Sequence, residues 1–472
     1  MGGGLLQLIA VGQIDEYLSI NPELSFYQYV FKRHTNFAME SKQLVFQKNP
    51  EISPNQISNI VECIIPRHGD LLSQLYFCLT LPDIYSSDVY RFKWVKRVGN
   101  VIVKKASIHI DGLTIDQTTG EWMTIWNELI LPEGDNKYDQ MIGNVPELQE
   151  PVVATKKIVI VNNKFIYNFY PASSKEGNMP PSISSREIII PLNFWFTKNP
   201  ALALPLLRMS LNIVSVKVEL ESSENLYQVF SKDLETYVSP TYYNDLYNDN
   251  INLKTFTKEY SINPYIEANY IFLAEEERNT LFRKAKLSYL VEQLTINSAQ
   301  NISSKNSALF NINITVNTPT KEIIWVTKRD DFYKYNEHTN FSADIPESTR
   351  GILDNARIYF NNNDRIQTKP AQYFNMIQPY QHHSRIPKQG IYCYSFALYP
   401  QKEFLSGYYN SALVKTNLLV GVKTDYDNKK INDVLKQMNK STYEYDYLVT
   451  TYCLTYNLFE IVGNQVGLMF NI

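Results

Sequence analysis

Several stretches of the chain alternate apolar and polar side chains with the two-residue period of a half-buried strand. Val214, Val216, Val218 and Leu220 fall on one face and Ser215, Lys217 and Glu219 on the other, which predicts a strand over 214–220. Ile312, Ile314 and Val316 alternate in the same way with Asn311, Asn313, Thr315 and Asn317, and Ile158–Val161 reads as a strand buried on both faces. Helical periodicity is scarce. The predicted helices are short: one from about Gly120 to Leu131, opened by Thr118-Thr119 and stopped by Pro132, and one starting at the acidic run Glu275-Glu276-Glu277-Arg278. Short strands separated by turn residues, without regular intervening helices, point to sandwiches or barrels.

An internal comparison sharpens that picture. Ala106-Ser107-Ile108-His109-Ile110-Asp111-Gly112 and Ala356-Arg357-Ile358-Tyr359-Phe360-Asn361-Asn362 share one pattern at an offset of 250 residues: a strand running into a tight turn whose last two residues tolerate positive φ. Each is followed by aromatic residues, Trp122 in one case and Tyr373-Phe374 in the other. A repeat of half the chain implies two copies of one β domain. A second echo, His34-Thr35-Asn36-Phe37 against His338-Thr339-Asn340-Phe341, lies at a different offset and reads as coincidence.

Length and charge narrow the function classes. The 472 residues allow two or three domains. Lys plus Arg number 45 against 48 Asp plus Glu, a net charge of −3, so no dense basic surface for a nucleic-acid backbone is implied. The 34 Tyr and 23 Phe, beside only 20% charged residues, add to the β-rich reading. Cys63, Cys78, Cys393 and Cys453 are widely spaced with no C-x-x-C, which predicts reduced thiols in strand cores. Met1–Ala10 lacks the basic start and cleavage site of a signal peptide, and apolar runs such as Ile188–Leu192 and Leu418–Val422 are far shorter than the roughly 20 residues of a membrane-spanning helix.

Longer strings carry a resemblance. Gly3-Gly4-Leu5-Leu6-Gln7-Leu8, Asp15–Leu18, Asn21-Pro22 and Arg33-His34-Thr35-Asn36-Phe37-Ala38 open the chain; Ile190-Pro191-Leu192-Asn193-Phe194-Trp195-Phe196 and Asn199-Pro200 through Leu206 follow. Then come Tyr270–Leu273 with Glu277-Arg278, Leu290–Gln293, Asp364-Arg365, Tyr373-Phe374, and Gln378-Pro379-Tyr380-Gln381-His382-His383-Ser384-Arg385-Ile386-Pro387 continuing through Leu398. In this order the strings resemble the major capsid proteins of nucleocytoplasmic large DNA viruses, with phycodnavirus and mimivirus-like members nearest. Three local departures stand out: Asn361-Asn362-Asn363 where Asn-Gly is common, Tyr408–Ala412, and the ending Gly463–Leu468.

The resemblance implies an all-β double jelly roll, two eight-stranded antiparallel β-sandwiches with short helices in loops. It implies a structural protein, not an enzyme, whose homotrimers form pseudo-hexagonal capsomers that tile an icosahedral shell. The implied division is an N-terminal anchoring arm over 1–24, a first jelly roll over 25–225, an inter-domain linker over 226–264 and a second jelly roll over 265–472. Expected partners are two further copies of the chain, neighbouring capsomers, and minor capsid or penton proteins. The arm's apolar Leu5, Leu6, Leu8, Ile9 and Val11 suit either a minor protein or an inner membrane surface. No cofactor, no metal and no direct nucleic-acid contact are expected, and the expected location is the virion shell, assembled in the host cytoplasm.

The chain contains no phosphate-loop, H-E-x-x-H or G-x-S-x-G pattern. His382-His383 could offer imidazoles to a metal, but neighbours on an extended chain diverge, and no Cys or carboxylate accompanies them in sequence. Arg33-His34, Lys96-Arg97 and Lys104-Lys105 with Phe31, Phe92 and Trp94 suggest a nucleic-acid surface, against which the balanced charge favours solvated or subunit-contact roles. Tyr242-Tyr243 and Tyr408-Tyr409 are the aromatics of an alternative carbohydrate-binding sandwich. Phe194, Trp195 and Phe196 are expected to be structural, at least one of them nearly fully buried. Asn301, Asn313, Asn340 and Asn439 head N-glycosylation sequons, and cytoplasmic assembly predicts unmodified Asn there.

Overall fold

The computed structural model describes residues 34–470 apart from 49–58, 133, 135, 155–157, 162, 163, 168, 169, 175–178, 250–261, 306–308 and 425–428. The expected arm lies outside these residues.

Sixteen strands build two sandwiches. In the first are β1 (Phe37–Val45), β2 (Asn59–Ile64), β3 (Leu71–Leu81), β4 (Val103–Ile110), β5 (Leu113–Thr118), β6 (Arg186–Pro191), β7 (Val214–Leu220) and β8 (Tyr265–Leu273). They pair in the orders β1-β8-β3-β6 and β2-β7-β4-β5. In the second are β9 (Lys286–Ile302), β10 (Phe310–Ile314), β11 (Thr320–Arg329), β12 (Leu353–Phe360), β13 (Asn363–Pro370), β14 (Ile391–Ser395), β15 (Thr416–Val422) and β16 (Tyr447–Val462). These pair as β9-β16-β11-β14 and β10-β15-β12-β13. Numbered from the start of each sandwich, both read 1-8-3-6 and 2-7-4-5. The repeat inferred from the 250-residue offset is therefore a repeat of topology: the paired motifs are the hairpins β4–β5 and β12–β13.

Both hairpins turn through residues at positive φ, Asp111 (51°) and Gly112 (84°) in one, Asn361 (48°) and Asn362 (67°) in the other. Two consecutive left-handed residues match the right-handed twist of the flanking strands, which is why Asp-Gly and Asn-Asn both serve. Alternation holds at most of the expected positions, Ser215 of β7 being the exception: it is buried and donates to Glu62 Oε1 at 2.8 Å. Val216 and Val218 of β7 and Ile312 and Ile314 of β10 face inward, with Asn311 and Asn313 exposed. Strand Ile158–Val161 is present, paired with Lys164–Tyr167; its side chains lie outside the described residues. All four cysteines are free and buried, on β2, β3, β14 and β16.

The expected division needs correction. β8 lies between β1 and β3, with Phe37 opposite Leu273 and Tyr265 opposite Cys78, so 265–273 completes the first sandwich instead of opening the second. A strand that closes a Greek key returns beside the strand that began it, and alternation alone does not say to which sandwich it returns. Nor is 226–264 merely a linker. Tyr227–Ser231 pairs with Phe92–Trp94 and Thr236–Val238 in a small sheet, Tyr227 stacks on Phe92 at 4.8 Å, and Tyr227, Val229, Val238 and Leu246 are buried.

Five helices matter below: α1 (Gly120–Ile130), α2 (Trp195–Lys198), α3 (Pro240–Tyr247), α4 (Glu275–Arg283) and α5 (Gln378–His382). α1 begins as its sequence predicts, with the Thr119 side chain accepting a hydrogen bond from Trp122 N–H. α4 connects the sandwiches, carrying three acidic residues in its first turn and Arg283 in its last, an arrangement that complements the helix dipole.

Candidate functional site

The seam between the sandwiches is closely packed. β11 carries it: all ten residues from Thr320 to Arg329 are buried. Ile323 and Trp325 point into the second sandwich's core, while Ile324 and Val326 face outward and are covered by α1 of the first sandwich. A strand covered on both faces loses polar alternation. α1 supplies Trp122, Ile125, Trp126 and Leu129, which pack with Leu294, Tyr452, Leu454 and Ile391. The two Trp rings stack at 5.5 Å, and Trp122 meets Tyr452 at 5.4 Å. Burial of Ile125 or Leu129 is worth about 1.5–3 kcal/mol each relative to exposure.

Phe194, Trp195 and Phe196 form the other half of the seam. All three are essentially fully buried, at 0%, 1% and 0% exposure. Trp195 lies 5.2 Å from Phe459 and 6.3 Å from Tyr289, both from the second sandwich, and 5.5 Å from Phe196. Asp116 holds this segment, its Oδ2 accepting a hydrogen bond from Trp195 N–H at 2.9 Å. Burial pushes the Asp116 carboxyl up to about 7, against the pull of the Trp195 N–H and the nearby Lys198 ammonium.

Charges cross the seam in pairs. Lys198 reaches Glu292 at 2.8 Å, and Glu292 also takes the fully buried Lys321. Burial works to raise the Glu292 carboxyl, but the two ammonium groups outweigh it and hold it below its ordinary value. Lys328 meets Glu121 at 2.5 Å, and Glu128 receives both Arg97 and Arg385, the latter at 3.3 Å. Direct hydrogen bonds add register: Gln401 Nε2 donates to Leu129 O at 3.1 Å, Gln293 Nε2 to Ile115 O at 2.9 Å, and Asn336 Nδ2 to Tyr227 O at 2.8 Å. Such a surface fixes the angle between two bodies.

The remaining motif residues are dispersed. Asn36 and Phe37 lie at the exposed start of β1, where Asn36 O accepts from Ala274 N–H. Asn199 Oδ1 caps the 3₁₀ turn that begins at Pro200. Asp364 takes Arg357 through both carboxylate oxygens at 2.6 and 2.8 Å, and the Arg365 guanidinium lies 5.5 Å from the Tyr394 ring centroid. Gln378 is buried, its Oε1 accepting from Ser395 N–H, and Pro379 is buried beside it, whereas Tyr380 is 80% exposed.

Several expectations change. Asn340 cannot serve as a glycan acceptor in the folded chain, because it is buried and its side chain bonds Asp344 O, Ser342 N–H and Ser342 Oγ–H. Asn301, Asn313 and Asn439 are exposed. Of the four tyrosines of the carbohydrate reading only Tyr408 is exposed; Tyr243 is buried against Tyr247, and Tyr409 packs on Phe360 and Phe396. Lys96, Arg97 and Lys104 each pair with a carboxylate, of Glu347, Glu128 and Glu219, so the suspected basic surface is largely neutralised. His383 does meet a carboxylate and a cysteine, Glu322 and Cys393, which are remote in sequence and adjacent in space. Reading along the chain missed the seam's charged residues too; only the i, i+4 spacing of Trp122 and Trp126 signalled a buried helix face.

Two eight-stranded sandwiches of one strand order, locked through such a seam, define a double jelly roll. The chain is similar to the PBCV-1 virus capsid quasi-atomic model (TM-score 0.68, 22% identity, 95% of this chain and 100% of that one). It is likewise similar to the Faustovirus major capsid protein (TM-score 0.66, 12% identity, 95% and 94%). Residues 25–274 match the family described as major capsid protein N-terminus, and 277–467 match the large eukaryotic DNA virus major capsid protein family. The chain belongs to the major capsid proteins of large eukaryotic DNA viruses. It is 30% identical to the major capsid protein of Pyramimonas orientalis virus over 90% of this chain and 93% of that one, and 26% identical to that of Phaeocystis pouchetii virus over the full length of both. The boundary between the two matched regions coincides with the start of α4. The protein has a structural role, as a component of the virion shell.

Proposed function

We propose that three copies of this chain form a pseudo-hexagonal capsomer that tiles an icosahedral shell. The observation that carries this is the identity of strand order in two sandwiches held side by side by one continuous seam. A trimer of such chains presents six sandwiches of one kind, so threefold symmetry yields near-sixfold packing from a single gene product. Exposed apolar side chains support the reading: Leu398, Tyr399, Phe404, Leu405, Tyr408 and Leu413 crowd one loop of the second sandwich. Exposed apolar side chains concentrated in one loop are characteristic of subunit contacts. Neighbouring capsomers and minor or penton proteins are the further partners, residues 1–24 act as an arm facing the virion interior, and assembly takes place in the host cytoplasm.

Sedimentation velocity of the purified chain tests the oligomer. The expected species has three times the 54.8 kDa chain mass, stable at micromolar concentration, as interfaces burying more than about 2,000 Å² usually are. A monomer at all concentrations and under every assembly condition would refute it.

A further inference from the structure

His383, Glu322 and Cys393 come together beneath α1. Glu322 and Cys393 sit on the paired strands β11 and β14, where Ile324 is opposite Cys393, and both face α1. His383 follows α5 directly, with its Nε2 2.6 Å from Glu322 Oε1 and both side chains fully buried. The ligating atoms of the three residues all lie within 4.8 Å of one another. Trp126 closes the site from the first sandwich, its ring edge-on to the imidazole at 6.2 Å.

Two observations point to a missing cation. Glu322 Oε2 is buried with no hydrogen-bond partner, although the side chain is wholly out of solvent. Among the described residues the one salt-bridge partner of Glu322 is His383. A buried carboxylate oxygen without a partner is costly, and the cluster offers a cation three donor atoms. A divalent ion bound by thiolate, carboxylate and imidazole would leave it neutral.

We propose that Glu322, His383 and Cys393 bind one zinc ion. The donor set of nitrogen, sulfur and carboxylate oxygen is one that zinc favours, with Glu322 binding through one oxygen and the fourth position open to a water. Tetrahedral zinc at its usual bond lengths separates ligand atoms by about 3.3–3.8 Å. The 2.6 Å contact and the 4.8 Å limit bracket this range, so side-chain shifts of roughly 1 Å suffice. Binding releases the Cys393 thiol proton to solvent as the zinc–sulfur bond forms, and the imidazole proton resides on Nδ1. There it faces Gln401 Nε2, 3.3 Å away, so loading turns the Gln401 amide to present its oxygen to the ring and gives up its bond to Leu129 O. The ion would rivet the Gln378–Pro387 segment to the outer face of β11 and β14, directly under the seam. Because the site is buried, it loads as the chain folds.

The test uses the full-length chain produced in zinc-supplemented medium and, in parallel, refolded with cobalt(II). Elemental analysis should find one zinc per chain, and the cobalt form should show a thiolate-to-cobalt charge-transfer band. Cys393→Ser and His383→Gln should each lose the ion and, for Cys393→Ser, the band. Wild-type protein without zinc and without the band would overturn the proposal, whatever the variants do. Zinc retained undiminished in both variants would overturn it equally, by placing the ion elsewhere.

Discussion

Replacing Trp195 with alanine should uncouple the two sandwiches. Trp195 is 1% exposed and touches Phe196 from its own sandwich and Tyr289 and Phe459 from the other. Truncating a buried Trp costs about 3–5 kcal/mol through lost transfer energy and the cavity left behind, and the aromatic contacts place this site toward the upper end. One term runs the other way: Trp195 Nε1 is buried without a hydrogen-bond partner, and removing such a group recovers about 1–3 kcal/mol. The net expectation for Trp195→Ala is about 2–4 kcal/mol. Trp195→Phe keeps a ring in the seam and removes the unpaired N–H, so it should stay within about 1 kcal/mol of wild type. Urea unfolding at one fixed chain concentration measures both, since assembly couples to stability by mass action. Amide exchange then localises the effect: protection should fall around Tyr289 and Phe459, although the substitution lies in the other sandwich. A cost below about 1 kcal/mol for Trp195→Ala, or equal costs for Ala and Phe, would refute the reasoning.

Three further outcomes follow from the seam and the turns. Glu292→Gln strands Lys198 and Lys321 without their shared carboxylate and should cost about 3–5 kcal/mol in urea unfolding, more than loss of an exposed pair. Asp116, its carboxyl raised to about 7 by burial, binds its proton more tightly when folded than when unfolded, so its contribution to stability is fully present below the unfolded carboxyl range near pH 4 and is lost as pH rises through 7. Asp116→Asn should therefore flatten the stability profile between about pH 4 and 7 relative to wild type, read by denaturant midpoints across that range. Gly390 has φ 91° and would place a Cβ 1.9 Å from Phe341 O, so Gly390→Ala should cost at least about 2 kcal/mol or yield insoluble protein.

Much of the architecture was legible because it is local. The alternation at 214–220 marks β7, Thr119 and Pro132 bracket α1, and Asp111-Gly112 and Asn361-Asn362 mark the two equivalent turns. The long family-like strings announced the jelly rolls before any contact was known. What stayed hidden depends on pairing between distant residues. The strand character of Tyr265–Leu273 is visible in its pattern, but its place between β1 and β3 is not, and so the division of the chain was misplaced. Nothing in the local pattern marks Lys321 and Glu322 as buried, because their burial arises only when the two sandwiches pack across β11. The His383 cluster was invisible for the same reason: its carboxylate lies 61 residues away, on another strand.

The central claim is that one chain supplies two equivalent corners of a six-cornered capsomer. Averaged electron micrographs of the purified assembly viewed down its symmetry axis test this most directly. The account predicts threefold particles whose outline shows six lobes of nearly equal size, two per chain; three lobes, or particles without threefold symmetry, would contradict it.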